Sequence, residues 1–444
     1  LQTRLRRLDA LERLVAENLD RIAAAIDADF SRRPQAETGL LEGFPTLEGI
    51  RHARRHLAKW MRPKRGAASF WFLPARTMLL AQPLGVVGIV APWNYPMLLA
   101  FSPLAAALAA GNRAMIKMSE VTPRTAEALS GLVKKYFQEN EVAVVQGGPE
   151  IGAEFVKLPF AHLLYTGSGG VGRSVMRSAA ENLTPVTLEL GGKSPVIVAP
   201  DYPFAHAAER TAFGKCVNAG QTCVAPDYLM VEKGREGEML LALREAITRM
   251  YPDLAANPDF AHIVSGRHFE RLQAMLEEAR AAGTAIEPLS SMPAPDPARR
   301  RFPPLALLDP PPGSRVMREE IFGPLLPILG YRDHDAAIEY VNGREKPLAL
   351  YLFDRDAARV RRTLERTLSG GVTVNDVILH VGEETLPFGG VGPSGMGAYH
   401  GKAGFETFSK LRPVFLQSRW AGSWMINPPY GRRFERVLRW MLGR

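Results

Sequence analysis

The stretch VVGIVAPWNYPMLLAFSPLAAALAAGNRAMIK, residues 86–117, decides the fold. Residues 86–93 are a nearly continuous apolar run, the pattern of a strand covered on both faces. Residues 97–110 have helical length and end at Gly111-Asn112, a helix stop. Residues 114–118 are apolar again, so the order is strand, helix, strand. Outward from this unit the alternation continues. A helix is expected over 123–137, opened by Pro123, then a strand over 142–146 and a helix near 149–157. A strand over 162–166, a helix over 171–182 and a strand over 186–190 follow. Such alternation predicts a doubly wound, mostly parallel sheet.

After Gly191-Gly192 a second series starts. Strands are expected at 195–198, 228–231, 326–329, 349–353 and 371–374, and helices at 204–217, 236–250, 267–282 and 357–368. The proline-rich stretch 288–312 reads as irregular surface. Upstream, residues 1–63 read as two amphipathic helices, with Leu5, Leu8, Leu11, Leu14 and Val15 at helical spacing. Residues 70–82 read as a short strand region ending at Pro83. The fold class is therefore α/β, two doubly wound Rossmann-like lobes. A chain of 444 residues is too long for one ordinary core, which agrees with two lobes.

Composition excludes several classes. With 46% hydrophobic and 23% charged residues the chain is globular, not disordered. Its two cysteines, Cys216 and Cys223, make neither a disulfide framework nor a CxxC metal pattern, which suits a reducing, cytoplasmic setting. The opening is charged and amphipathic, without the apolar core and cleavage site of a leader. The net charge of +9 is spread along the chain, with clusters at 51–65, 299–301 and 432–444. No nucleic-acid module accompanies it, so no nucleic-acid partner is expected and an anionic cofactor suffices.

Four motifs carry chemistry. Gly220-Gln221-Thr222-Cys223 puts a thiol on a loop after a helix, as a nucleophile needs, although free cysteines are also common packing residues. Cys216, among Phe213, Gly214 and Val217, reads as packing. Leu188-Glu189-Leu190 places a carboxylate at the end of an apolar strand, where burial raises its pKa and suits it to base work. Gly167, Gly169 and Gly172 match GxGxxG between a strand and a helix, a phosphate cradle or a plain turn. Asn94, in Pro92-Trp93-Asn94-Tyr95-Pro96, lies at a strand's C-terminal end, where its amide could serve an oxyanion or merely a turn. Lys117 and Glu120 close the next strand, as ribose ligands or as solvated charges.

The segments PWNYP (92–96), IKMSE (116–120), YTGSGGVG (165–172), LELGGKSP (188–195), NAGQTC (218–223), EEIFGP (319–324) and LPFGGVGPSGMG (386–397) together resemble the aldehyde dehydrogenase superfamily over almost the whole chain. GQTCVAPDYLM with SGMGAYHGKAGFETFSK resembles its class 3 type, and within it the bacterial coniferyl aldehyde dehydrogenases. The resemblance implies Cys223 as nucleophile, Glu189 as general base, and Asn94 with the Cys223 backbone amide as oxyanion hole. It implies Lys117 and Glu120 at the adenosine ribose and Gly167, Ser168 and Gly172 at the cofactor phosphates. Trp93, Thr166, Glu320 and Phe322 also fall in the cofactor site, Glu320 at the nicotinamide ribose. The cofactor would be NAD, with NADP possible, and no metal is needed. Two departures sit there: Met118 stands where the family usually has Pro, and Gly169 where it usually has Thr.

The same resemblance implies a division into residues 1–190 for the cofactor, 191–400 for the cysteine and 401–444 for a C-terminal oligomerisation strand and tail. A homodimer would use a β arm near 70–83, with 77–82 and 412–416 as its strands. The substrate would be a hydrophobic aldehyde such as coniferaldehyde, entering past Tyr95 and the stretch near His380. Long- or medium-chain aldehydes, with the basic segment 432–442 touching a membrane, are the alternative. An acylating enzyme using coenzyme A and a non-catalytic structural relative are rivals that Glu189 and the Cys-Glu-Asn set argue against.

Overall fold

Strand runs that are apolar on both faces must be covered on both faces, and the chain does this twice. The computed structural model describes residues 1–443. Its strands are β1 (Lys64–Ala67), β2 (Arg76–Pro83), β3 (Val86–Val90), β4 (Arg113–Lys117), β5 (Val142–Val145), β6 (His162–Thr166), β7 (Val186–Glu189) and β8 (Pro195–Val198). They continue as β9 (Tyr228–Glu232), β10 (Ala285–Pro288), β11 (Leu305–Leu308), β12 (Leu325–Tyr331), β13 (Ala349–Phe353), β14 (Gly371–Val374), β15 (Gly395–Met396) and β16 (Ser409–Leu416). One sheet has the order β15-β7-β6-β3-β4-β5 and the other β10-β11-β12-β9-β8-β13-β14. Both are parallel except at the edges, where β15 and β10 run antiparallel.

The helix Leu98–Ala110 is apolar nearly all round and buried along almost its whole length, as such a helix must be. It packs between the first sheet and the N-terminal helices Gln2–Phe30 and Phe44–Trp60. Gly111 ends it at φ 93°, a left-handed conformation that glycine adopts without steric cost.

Three expectations need correction. The stretch 288–312 is not all irregular surface: β11 lies inside the second sheet, with Leu305, Ala306 and Leu307 buried. Its prolines, Pro303-Pro304 and Pro310 to Pro312, bound the strand and do not interrupt its ladder. Residues 70–82 are not one strand, since a 3-10 turn at Phe70–Phe72 precedes β2, which pairs with both β1 and β16. A helix at His334–Asn342, not expected from the sequence, is capped by Asp333, whose side chain accepts from the Ala336 N–H. The N-terminal pair of helices is joined by a short turn at Gln35–Thr38 and a wide π turn at Gly39–Gly43.

The chain passes from the first sheet to the second between Glu189 and Pro195, then returns. Residues 395–396, grouped by sequence with 191–400, pair with Glu189 and Leu188 of β7. The C-terminal ends of β3, β4, β6 and β7 share one edge, where ligands of open α/β sheets bind.

Candidate active site

After the helix Phe204–Cys216 the chain turns through three left-handed residues, Asn218, Ala219 and Gly220, at φ 51°, 50° and 75°. Gly220 is required there, because a Cβ would sit 2.4 Å from the Gly323 carbonyl oxygen. Gln221 locks the turn. Its amide nitrogen donates to the carbonyls of Asn218 (2.9 Å) and His262 (3.0 Å), and its oxygen accepts from the Val264 N–H at 3.0 Å. Thr222 is tied to the Tyr95 hydroxyl at 2.6 Å. Cys223 thus leaves a rigid loop and faces a cleft of about 230 Å³. Burial pushes its thiol up to about 12, and the neighbouring carboxylates of Glu320 and Glu189 push the same way. Backbone N–H groups of Cys223 and Val224 pull it back.

Asn94 enters the cleft from the loop after β3, its side-chain nitrogen donating to the Gln221 carbonyl at 3.2 Å. An amide has two N–H bonds, so one remains for an oxyanion. Glu189, at the end of β7, is 2% exposed and both carboxylate oxygens lack a partner. Burial holds its pKa well above the ordinary carboxylate range. An unpaired buried carboxyl costs stability. Here it lines the same cleft as the thiol and the amide, where a base is useful.

The rest of the cleft carries groups suited to a phosphate and to ribose hydroxyls. Ser168 precedes the helix Gly169–Ala180, whose first turn presents free N–H groups and the positive end of its dipole. A Cβ on Gly170 would meet nothing within 4 Å, and one on Gly169 only Arg173 Nη1 at 3.9 Å, so the approach is open without the family's threonine. Thr166 Oγ1 and Glu320 Oε1 are buried without partners, as hydroxyl ligands would be before ribose arrives. Burial, then Asp227, pushes Glu320 up to about 8. Gly191 makes its position possible, since a Cβ there would lie 2.1 Å from Glu320 Oε2.

Trp93, Asn94, Thr166, Gly167, Ser168, Glu189, Cys223, Glu320 and Phe322 line this one cleft. Lys117 and Glu120 sit one strand over, at the end of β4, 3.9 Å apart. Lys117 Nζ already donates to the carbonyls of Met118 (2.7 Å) and Gly147 (2.8 Å), while Glu120 is exposed. Gly172 is a packing glycine as well, because a Cβ would meet Leu190 Cδ2 at 2.8 Å. Met118, in place of proline, keeps an N–H that donates to the Val145 carbonyl at 3.0 Å and extends the β4–β5 ladder.

Tyr95 does not line an entrance: it is buried, bonded to Thr222, with Arg33 over its ring at 4.7 Å. His380 bonds Thr373 Oγ1 at 2.8 Å and is not among the residues lining the cleft. Residues not singled out from sequence also serve the site. His268 packs edge-on to Trp93, with ring centroids 4.6 Å apart. Arg271 binds the carbonyls of Glu320 (3.2 Å), Ile321 and Phe322 (3.4 Å), and Asp227 accepts from the Ile321 N–H at 2.9 Å. These clamps hold Phe322 at φ 47°, unusual for a bulky residue.

Comparison with known proteins agrees with this geometry. The model of the aldehyde dehydrogenase family matches residues 1–414. A Pseudomonas aeruginosa protein named "Probable coniferyl aldehyde dehydrogenase" is 49% identical over 435 residues, covering 98% of this chain and 90% of the relative. "Aldehyde dehydrogenase family 3 member A2" of Mus musculus is 42% identical, covering 94% and 84%. The solved Staphylococcus aureus AldH, in its substrate-bound state, superposes with a TM-score of 0.93 at 37% identity, covering 99% of this chain and 95% of that one. The chain belongs to the aldehyde dehydrogenase family and is an NAD(P)-dependent oxidoreductase that converts aldehydes to acids.

Proposed function

We propose that this chain oxidises a hydrophobic, aromatic aldehyde, with coniferaldehyde as the first candidate, and prefers NAD. One observation carries the chemistry: the Cys223 thiol, the Asn94 amide and the unpartnered Glu189 carboxyl open onto a single cleft. The Cys223 thiol first gives its proton to solvent water, and the thiolate then attacks the aldehyde carbon. The resulting oxyanion is held by Asn94 and the Cys223 backbone N–H, one such donor contributing about 3–4 kcal/mol. Bound NAD(P)+ supplies the hydride acceptor and, as a cation, favours the neighbouring thiolate. Loss of hydride leaves a thioester on Cys223. Glu189 takes a proton from water, which attacks the thioester and releases the acid.

Glu320 and Thr166 would hold the nicotinamide half, the Gly167–Ser168 turn the phosphates, and Lys117 with Glu120 the adenosine ribose. Glu120 favours NAD, because a carboxylate bonds a ribose 2′-hydroxyl and repels a 2′-phosphate. Residues 1–190 serve the cofactor, 191–400 carry the thiol, and 401–444 supply β16 and the tail. The homodimer reading is supported by β16, an edge strand of the β1-β2-β16 sheet, where Phe415 and Leu416 are exposed. A cytoplasmic setting suits two free thiols. Among the described residues no helix is long and apolar enough to cross a membrane.

The coniferaldehyde assignment rests on the 49% identity to a relative named as a probable coniferyl aldehyde dehydrogenase. A second reading, a fatty aldehyde taken at a membrane surface, draws on the helix Arg432–Met441, which has no buried residue, and on exposed Trp420, Trp424 and Trp440. Catalytic efficiencies for coniferaldehyde, benzaldehyde, hexanal and hexadecanal, each with NAD and NADP, decide. Coniferaldehyde with NAD should lead. A large advantage for hexadecanal would replace the first reading by the second.

A further inference from the structure

The asparagine loop and the cysteine loop rest on a buried ion cluster that no chemical step uses. Arg33 is fully buried. Its Nη1 donates to the Asn94 carbonyl at 2.8 Å and lies 2.9 Å from Glu42 Oε1, and its Nε lies 3.7 Å from Glu37 Oε1. The two carboxyl groups also hold backbone on either side of Arg33. Glu37 Oε1 accepts from the Asn218 N–H at 2.8 Å, at the left-handed turn before Cys223. Glu42 Oε2 accepts from the N–H groups of Met97 (2.8 Å) and Leu98 (3.0 Å), pinning the start of the helix that follows Asn94.

The two loops are also cross-linked. The Asn218 amide donates to the carbonyls of Asn94 (3.0 Å) and Gln221 (3.1 Å), and the Asn94 amide donates to that same Gln221 carbonyl. Arg33 and Asn218 therefore converge on one oxygen, the Asn94 carbonyl. A buried ion cluster is a poor device for stability, because desolvation offsets its Coulomb gain. It is a good device for geometry, because it fixes several backbone groups at once. Catalytic donors need that precision, since an error of about 1 Å costs on the order of 100-fold in rate.

We propose that Arg33, with Glu37 and Glu42, is the positioning centre of the oxyanion hole, setting the Asn94 amide against the Cys223 loop. The proposal rests on the reading of Asn94 as the oxyanion donor. Arg33 touches no substrate. It acts through the Asn94 main chain, and its carboxylates act through Asn218 and the 97–98 backbone.

The test is a double-mutant cycle with Asn94→Ala. Arg33→Lys keeps the charge but loses the fork of donors. It should lower kcat by about 10- to 100-fold while KM for NAD stays within about twofold. In the Asn94→Ala background the same change should cost less than about threefold, because the positioned donor is already gone. An equal loss in both backgrounds would show a merely structural role and overturn the proposal alone. Unchanged kcat in Asn94→Ala itself would overturn the oxyanion reading and the proposal with it. Should Arg33→Lys fail to fold, Glu37→Gln replaces it in the cycle. That variant keeps an oxygen for the Asn218 N–H and removes the charge, and the same pair of outcomes decides.

Discussion

Cys216 and Cys223 are seven residues apart, and burial pushes both thiols up to about 12. Cys216 ends a helix, is fully enclosed, and packs in the apolar core that runs through both lobes. Cys223 lies past the left-handed turn, partly exposed, in a cleft with a free amide hydrogen and an unpartnered carboxyl. Acidity does not distinguish them. What distinguishes them is the company each keeps: apolar groups complementary to nothing but packing, or polar groups left unsatisfied at some cost in stability and all aimed at one space. The unpartnered groups of Thr166, Glu189 and Glu320, which share one cleft with Cys223, mark the site where thiol acidity does not.

The largest expected effect breaks the symmetry of the two thiols. Cys223→Ala should abolish turnover, with folding and cofactor binding retained, as measured by reduced-cofactor absorbance and by cofactor titration. Turnover at a normal rate would rule out the covalent route.

Gly191→Ala tests whether the cleft, and not the thiol alone, makes Cys223 special. The added methyl would collide with the Glu320 carboxyl, so that side chain must leave its place. Measured above about pH 8, where the Glu320 carboxyl is ionised, KM for NAD should rise by about 10-fold or more, the loss expected of a charge-assisted hydrogen bond worth about 1.5–3 kcal/mol. An unchanged KM would remove Glu320 from the cofactor site.

A smaller, graded effect concerns pH. Cys223 and Glu189 both have pKa values raised by burial, so the reactive, deprotonated forms grow as pH rises. Catalytic efficiency for the aldehyde should therefore climb from neutral into alkaline pH, by up to about tenfold per unit as the Cys223 thiol titrates. A profile that falls over that range would contradict the assignment. Cys216→Ala should give the same profile as the unsubstituted enzyme.

The smallest effect is the last. Cys216→Ala should leave kcat within about twofold and cost about 1 kcal/mol of stability, the usual scale for a small core truncation, read from thermal melting. A large activity loss at unchanged stability would mean that the two thiols are not so different after all.

How much of this was legible beforehand follows physical lines. Strands β8, β13 and β14 fall at their expected bounds, because an apolar run between turn residues has one reading. β11 was hidden by flanking prolines that read as loop, and the helix His334–Asn342 by its short length. The residues Cys223, Glu189 and Asn94 were recognisable from local motifs. Arg33, Glu37 and Glu42 were not. Charged residues near a helix end read as a solvated face, and only the packing of a distant loop over them shows otherwise. Tyr95 misled for the converse reason: its neighbour Asn94 faces the cleft, and sequence proximity does not say which way the next ring turns.

The most direct test of the account is a single-turnover experiment on Glu189→Gln with NAD and an aldehyde, followed by intact and peptide mass spectrometry. If Glu189 serves mainly to activate water, the variant should form about one equivalent of reduced cofactor per subunit and then stall. The stalled protein should carry the acyl mass on the peptide containing Cys223. Steady-state turnover close to that of the unsubstituted enzyme, or an acyl group found anywhere other than Cys223, would contradict the mechanism proposed for this cleft.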